Sequence, residues 1–389
     1  QTIELKAGYY GPVWHVATIG SDETGDGTEL NPFATIQKGV DMSGSGDTVL
    51  VHPGIYNEHE IVGDYSSRGS LHLTSIAGPA NTIIDGENNG MLIRELAVNM
   101  FVEGFTLTGA SAYNDYYMGN SNGAIGTFSE RFRVETITIK NTIFVGNQMD
   151  LNFAYGNGYP WNEDFESSLN AIISNCTFIS SSNDFPSIRI DDDEGTYNFS
   201  NIIFFTENDQ NNFQIEENVP TALSHSLISP NVNIPDWFFE SGENVYGDPL
   251  FCSSEKGDFS LAANSPALAA GENGVNMGAL GVGCEAIELA IDAGIAPSLY
   301  ALHQNYPNPF NPTTKIRYDI PEASVVTLSI YNLMGKEVRT LTNSEQKAGF
   351  KYVQWNATND QGKPVPVGVY IYTIQAGEFR QTKKMILLK

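Results

Sequence analysis

Five short segments of this 389-residue chain resemble one another closely enough to constrain how the backbone is organised: GFTLTGAS at 104–111, NTIFVGNQ at 141–148, NCTFISSS at 175–182, NIIFFTEN at 201–208 and HSLISPNV at 225–232. Each pairs a β-rich apolar run with turn residues such as Asn, Gly or Ser. No amphipathic helix of ordinary length interrupts residues 48–230, so the reading is all-β. Between Phe105, Phe144, Phe178, Phe204 and Leu227 the intervals are 39, 34, 26 and 23 residues. They fit coils of about 22–25 residues, the longer intervals carrying loop insertions. One coil of short strands cannot bury its inward side chains alone, so the coils must stack into a solenoid with ladders of Ile, Val, Leu and Phe along its axis. Asn141, Asn175 and Asn201 each open a repeat. They are expected at turns where the amide bonds the neighbouring coil's backbone.

A solenoid needs cover at its ends, where unpaired strand edges would otherwise aggregate. Residues 31–58 supply the first cap, with PFATIQKGVDM read as a short helix carrying Phe33, Ile36 and Val40 on one face. Residues 248–284 read as a closing segment at the other end. The opening GSDETGDGTELNPFATIQKGVD…GDTVLVHPGIYNE and the closing DPLF…GDFSLAANSPALAAG resemble the pectate-lyase-like superfamily of right-handed parallel β-helices over roughly residues 14–284. The resemblance implies a β-helix with an N-terminal cap over residues 1–284. It leaves activity open among polysaccharide lyases, glycosidases, adhesins and proteins without catalysis.

Residues 285–299 carry Ala, Gly and Pro without a repeat and read as a linker. From 300 to 389, alternation in VVTLSIYNL and VYIYTIQAG, with turns at NLMGKE and NDQGKPV, predicts about seven short strands in a small Ig-like β-sandwich. NYPNPFNPTT, IYNLMGKEV, GVYIY and the final KKMILLK resemble the C-terminal sorting domain of type IX secretion cargo. That resemblance implies the type IX secretion machinery as a partner, and a secreted or outer-surface location in a Gram-negative bacterium.

Charge separates the two parts: residues 297–389 carry 11 Lys and Arg against 6 Asp and Glu, or +5, leaving 9 against 40, or −31, for residues 1–296. A chain this acidic repels nucleic acid and anionic lipid surfaces, so both are excluded as partners. No apolar run approaches the roughly 20 residues needed to cross a bilayer, which excludes insertion through a helix. The start at Gln1, without a basic or apolar leader, is expected of a mature chain. Three cysteines lack the paired spacing of a zinc site. In an exported protein Cys252 and Cys284 would close a loop of about 30 residues worth roughly 3 kcal/mol, leaving Cys176 as a buried residue of an apolar strand.

A lyase acting on acidic glycans needs a base and a cation, often Ca²⁺, beside the developing negative charge. Few basic residues qualify. Arg189 precedes Asp191, Asp192, Asp193 and Glu194, and Lys140 follows Arg131 and Arg133, so Arg189 and Lys140 are the catalytic candidates. Clustered carboxylates suit Ca²⁺, which names Asp22 and Asp26 in SDETGDG and Asp191 and Asp193 in RIDDDEG. The alternatives are an ordinary loop for Asp22 and Asp26, a solvated acidic turn for Arg189 and the acids after it, and charges on the outer face of a strand for Arg131, Arg133 and Lys140. The histidines show no metal spacing, and no serine-nucleophile motif is present. Two insertions concentrate rings that stack on sugars or anchor interfaces: Tyr113, Tyr116 and Tyr117 in one, Phe153, Tyr155, Tyr159 and Trp161 in the other.

The expectation is therefore a non-catalytic extracellular or cell-surface structural protein. It self-assembles head to tail into a filament through contacts between the β-helix of one copy and the sandwich of the next. The alternative is a polysaccharide lyase or glycosidase, with a glycan-binding adhesin between the two.

Overall fold

The computed structural model describes residues 12–63, 69–94, 96–111, 123–127, 134–153, 169–180, 185–191, 195–206, 212–215, 219–235, 238–240, 243–287, 297, 299–305 and 308–388. The chain divides into two compact units, Gln1–Ile287 and Glu288–Lys389.

In the first unit the strands are too short to form a core singly, and they stack in parallel into sheets of nine, eight and six strands. One coil illustrates the order: Thr136–Lys140 in the nine-stranded sheet, Ile143–Val145 in the eight-stranded sheet and Leu151–Phe153 in the six-stranded sheet. This is a parallel β-helix. Alternation sends every second side chain inward, and Val49, Leu73, Val102, Ile139, Ile173, Phe199 and Leu223 follow one another in register as a buried row. A second row stacks Phe144 on Phe178 with ring centroids 4.6 Å apart and Phe178 on Phe204 at 5.1 Å.

Register corrects the sequence alignment at both ends of that row. Phe144 pairs with Leu107, not Phe105, and Phe204 pairs with Ile228, not Leu227. Phe105 is buried just before its strand, whereas Leu227 clusters with the closing segment. The turn asparagines also act differently from expectation. Asn141, Asn175 and Asn201 hold φ of 49°, 54° and 56°, the left-handed conformation that Asn tolerates better than other non-glycine residues. Their bond to the next coil is made by the main-chain N–H, donated to Ser174, Ser200 and Ser224 carbonyls at 3.1–3.2 Å.

The cap begins earlier than residue 31. The loop leading to Phe33 bonds the open edge of the first strand, Val13–Val16, through His15 N–H to Gly27 O at 2.8 Å and Phe33 N–H to His15 O at 3.0 Å. The helix is Ile36–Met42, capped by Thr35, and buries Ile36 and Val40. Phe33 is buried too but precedes the cap, bridged to Val16. Glu58 accepts from the Ile36 and Gln37 amides at 2.7 and 2.9 Å, satisfying donors that the first helical turn leaves open.

The closing segment is a lateral cover. Phe251–Ser253, Asp258–Ala262 and Val282–Cys284 form a small sheet. Phe251, Phe259, Leu261, Ala267 and Met277 join Ile143, Ile203 and Leu227 in one apolar cluster. Those last three face outward on the eight-stranded sheet, so the segment covers several successive coils. Gly278 N–H donates to Asn201 O at 2.7 Å, and Ala279 N–H to Thr177 Oγ1 at 2.9 Å. A disulfide joins Cys252 to Cys284, and Cys176 is a buried free thiol whose pKa burial pushes up to about 12.

The second unit sets a three-stranded antiparallel sheet, Ala301–Leu302, Thr314–Ile320 and Gly349–Trp355, with a four-stranded one, Ser324–Asn332, Glu337–Gln346, Gly368–Ala376 and Phe379–Leu387. Trp355, Tyr372, Phe310 and Ile330 lie in the buried core of this small sandwich. The Tyr372 hydroxyl accepts from Asn305 N–H and donates to His303 O, both at 2.8 Å, tying the incoming chain to the core. Among the described residues no helix is long and apolar enough to cross a membrane.

Candidate functional site

The six-stranded sheet comprises Ile61–Val62, Ile93–Arg94, Ile125–Thr127, Leu151–Phe153, Ile188–Ile190 and Phe213–Ile215. Ile61, Ile93, Ile125, Leu151, Ile188 and Phe213 are in register and buried. The alternate row points away from the helix core and reads Val62, Arg94, Gly126, Asn152, Arg189 and Gln214; Gly126 and Asn152 at its centre are themselves buried, while Arg94 and Arg189 are half-buried. At about 4.8 Å per strand, Arg94 and Arg189 stand roughly 14 Å apart along the row, three strands from one to the other. Gly126 lies between them; a Cβ there would come within 2.6 Å of the Met91 methyl, the movable end of a flexible side chain.

Arg189 ion-pairs through Nη2 with Asp191. The Nε atoms of Arg94 and Arg189 are both buried without a hydrogen-bond partner. A desolvated guanidinium donor left unused is costly, and an acceptor brought by a ligand would satisfy it. Of the five arginines of residues 1–296, Arg94 and Arg189 are on the sheet, while Arg68, Arg131 and Arg133 lie outside the described residues. The described lysines of that region, Lys38, Lys140 and Lys256, are on other elements.

Behind the strand entries sits a buried polar cluster. Asp150, immediately before Leu151, accepts from Asn147 Nδ2 at 3.1 Å and from the Ser187 hydroxyl, and Ser187 immediately precedes Ile188. Asn147 also accepts from Ala110 N–H at 2.9 Å and donates to Leu107 O at 2.9 Å. Three coils are thereby tied together where two strands of the site begin. Burial pushes Asp150 up to about 7, against the lowering effect of Ser187 and Asn147. Asp150 is 2% exposed and both oxygens are engaged, so it positions the strands and does not reach a ligand.

Lys140 and Arg189 are not brought together. Lys140 stands on the nine-stranded sheet in register with Glu103, whereas Arg189 is on the six-stranded one. Asp22 is a cap: its carboxylate accepts from Ala34 N–H at 2.8 Å, Thr35 N–H at 3.1 Å and the Thr35 hydroxyl at 2.7 Å. Asp26 is held in its own turn by Thr28, whose hydrogen bonds lower its pKa. Asp191 is engaged by Arg189, and Asp193 lies outside the described residues. Among the described residues no group of three His, Cys, Asp or Glu side chains placed to hold a metal ion occurs.

Phe153 is a core residue. It shares the inward face with Leu151, is buried, and stacks on Tyr197 at 5.9 Å. Tyr113, Tyr116, Tyr117, Tyr155, Tyr159 and Trp161 lie outside the described residues. His15 Nδ1 and His52 Nε2 are 3.0 Å apart, so one ring must donate to the other, and burial followed by the neighbouring His52 lowers the His15 pKa. His72 stacks on Phe101 at 4.0 Å.

Residues 310–378 match the model of the FlgD Ig-like domain. No curated protein matches the chain. PorZ of Porphyromonas gingivalis, described as an essential bacterial surface component of the type-IX secretion system, is similar at 20% identity over 23% of this chain and 11% of that one, TM-score 0.18. Dimeric latent PorU from the same organism is 18% identical over 24% and 10%, TM-score 0.20. The GH136 lacto-N-biosidase of Eubacterium ramulus is 12% identical over 60% of this chain and 55% of that chain, TM-score 0.35. The chain thus spans between a tenth and about half of these proteins, and at such TM-scores the likeness carries no argument about activity.

Proposed function

We propose that the protein works outside the cytoplasm as a non-catalytic surface protein whose β-helix holds a glycan along the outward row of the six-stranded sheet. The single observation that carries this reading is the pair Arg94 and Arg189, in register on one row with their buried Nε donors unused. Guanidinium and carboxamide groups are donors and acceptors suited to sugar hydroxyls and carboxylates. The Cys252–Cys284 disulfide supports an oxidising compartment. The sorting-domain motifs read from the sequence support type IX export to the bacterial surface.

The test is a panel of neutral, carboxylated and sulfated glycans, with binding and product release both measured. Arg94→Ala and Arg189→Ala should each weaken binding about tenfold or more, the loss of a charge-assisted hydrogen bond. Binding untouched by both substitutions would sink the reading, and release of cleaved product would replace it with the lyase or glycosidase alternative. A second reading, self-assembly of copies head to tail, is favoured by the opposite net charges of the two parts, −31 and +5.

A further inference from the structure

Two turns of the sandwich are built alike and differ only at their tips. Asn332-Leu333-Met334-Gly335-Lys336 and Asn359-Asp360-Gln361-Gly362-Lys363 both read N-x-x-G-K. In each, the first asparagine's N–H donates to the lysine carbonyl, at 3.0 and 2.9 Å, and its Oδ1 accepts from the third and fifth residues' amides at 3.0 Å. Gly335 and Gly362 take the same left-handed φ, 75° and 74°. The chain therefore makes this turn equally well with Asp and Gln at the tip, and turn geometry does not account for Leu333 and Met334. Those two side chains are 68% and 87% exposed. Val367, just before the strand that pairs alongside Asn332, is 57% exposed. A rigid apolar tip beside Lys336 has the composition of a docking surface rather than of a solvated turn.

The first unit carries its counterpart. Among the described residues its most exposed large apolar side chains are Leu30 at 97% and Ile19 at 92%, both on the cap loop that seals the first strand. That loop is fixed by Gly27 N–H to Asn31 O at 3.1 Å and Ser21 N–H to Pro32 O at 3.1 Å, and exposes Glu23 and Glu29. The sandwich tip is apolar with exposed Lys336 and Glu337 following it, and the cap loop is apolar and acidic.

We propose that the Leu333–Met334 tip of one copy docks on the Ile19–Leu30 cap loop of a second copy, with Lys336 facing the cap's glutamates. This rests on the self-assembly reading and gives it a specific contact. The contact joins different surfaces, so it propagates head to tail, and each copy keeps one free surface at a growing end.

The experiment uses the full chain and two variants, Leu30→Asp and Met334→Asp, followed by light scattering and sedimentation. Wild type should form concentration-dependent oligomers, and each variant alone should be monomeric. Mixed in equal amounts, the variants should form dimers and nothing larger, because each retains the surface the other has lost; misfolded variants would not do this. If both variants assemble like wild type, this contact is wrong while self-assembly stands. If wild type stays monomeric up to about 1 mM, the weak end of the affinity scale, the contact and the self-assembly reading both fall.

Discussion

Replacing Asp150 with Asn tests whether a buried carboxyl group holds the entrances to the site's strands, and it does so through the sign of a pH dependence. In the fold Asp150 titrates at about 7, against a reference value of 3.8, because burial disfavours its charge. The folded state therefore holds the proton more tightly than the unfolded chain. The resulting stabilisation is fully present below about pH 4 and is lost as pH rises through about 7. Three units at about 1.4 kcal/mol each give roughly 4 kcal/mol. Asn is neutral throughout and can accept from Asn147 while donating to Ser187, as a protonated carboxyl would.

Urea unfolding of both proteins from pH 4 to pH 8 isolates the effect, since every other titrating group is common to them. The two should lie within about 1 kcal/mol at pH 4, and the variant should be the more stable by about 4 kcal/mol at pH 8. A gap that stays constant with pH would refute the reasoning. So would a wild type that gains on the variant as pH rises, because that would require Asp150 to be ionised in the fold.

Two further outcomes follow from the turns and the cover. Replacing Cys252 and Cys284 by Ser should cost about 3 kcal/mol through the freed loop, an effect local to the closing segment. Hydrogen exchange would show it: the Gly278 and Ala279 amides, bonded to Asn201 and Thr177, should exchange about 100-fold faster, with inner rows such as Ile139 and Ile173 unaffected. Asn175→Gly should change stability by only a few tenths of a kcal/mol, whereas Asn175→Val at φ 54° should lose about 1–2 kcal/mol in thermal or urea unfolding.

The solenoid was legible because Phe144, Phe178 and Phe204 recur on one inward row. The slip at Leu227 has a physical cause. Strand periodicity identifies a face only when the other face is wetted, and the closing segment removes that contrast. Ile143 and Phe144, Ile203 and Phe204, and Leu227 and Ile228 are adjacent apolar pairs, one member facing the helix core and the other the cover. Phe153 could have been assigned correctly, since Leu151 and Phe153 are in phase and Asn152 is not. Its place at the start of an aromatic insertion outweighed that phase. Arg94 carried a local signal, being the residue after an inward Ile93. Its relation to Arg189 did not, because 95 residues with insertions of unequal length separate them and only stacking makes them neighbours on a row.

The distribution of connection lengths explains why binding would settle on that row. In four coils the chain passes from the nine-stranded to the eight-stranded sheet in two residues, Asn141-Thr142, Asn175-Cys176, Asn201-Ile202 and His225-Ser226, whereas the connection 76–81 takes six. At those four turns the left-handed first residue and the inter-coil bond keep the connection short, and much of the outer face of the eight-stranded sheet is occupied by the closing segment. Connections entering and leaving the six-stranded sheet are free of both constraints, and two long ones, 109–124 and 154–169, adjoin it. The backbone register fixes the spacing of Arg94 and Arg189 without any demand on the core. Sequence change in the adjoining connections can then alter what is held there while the inward rows stay as they are.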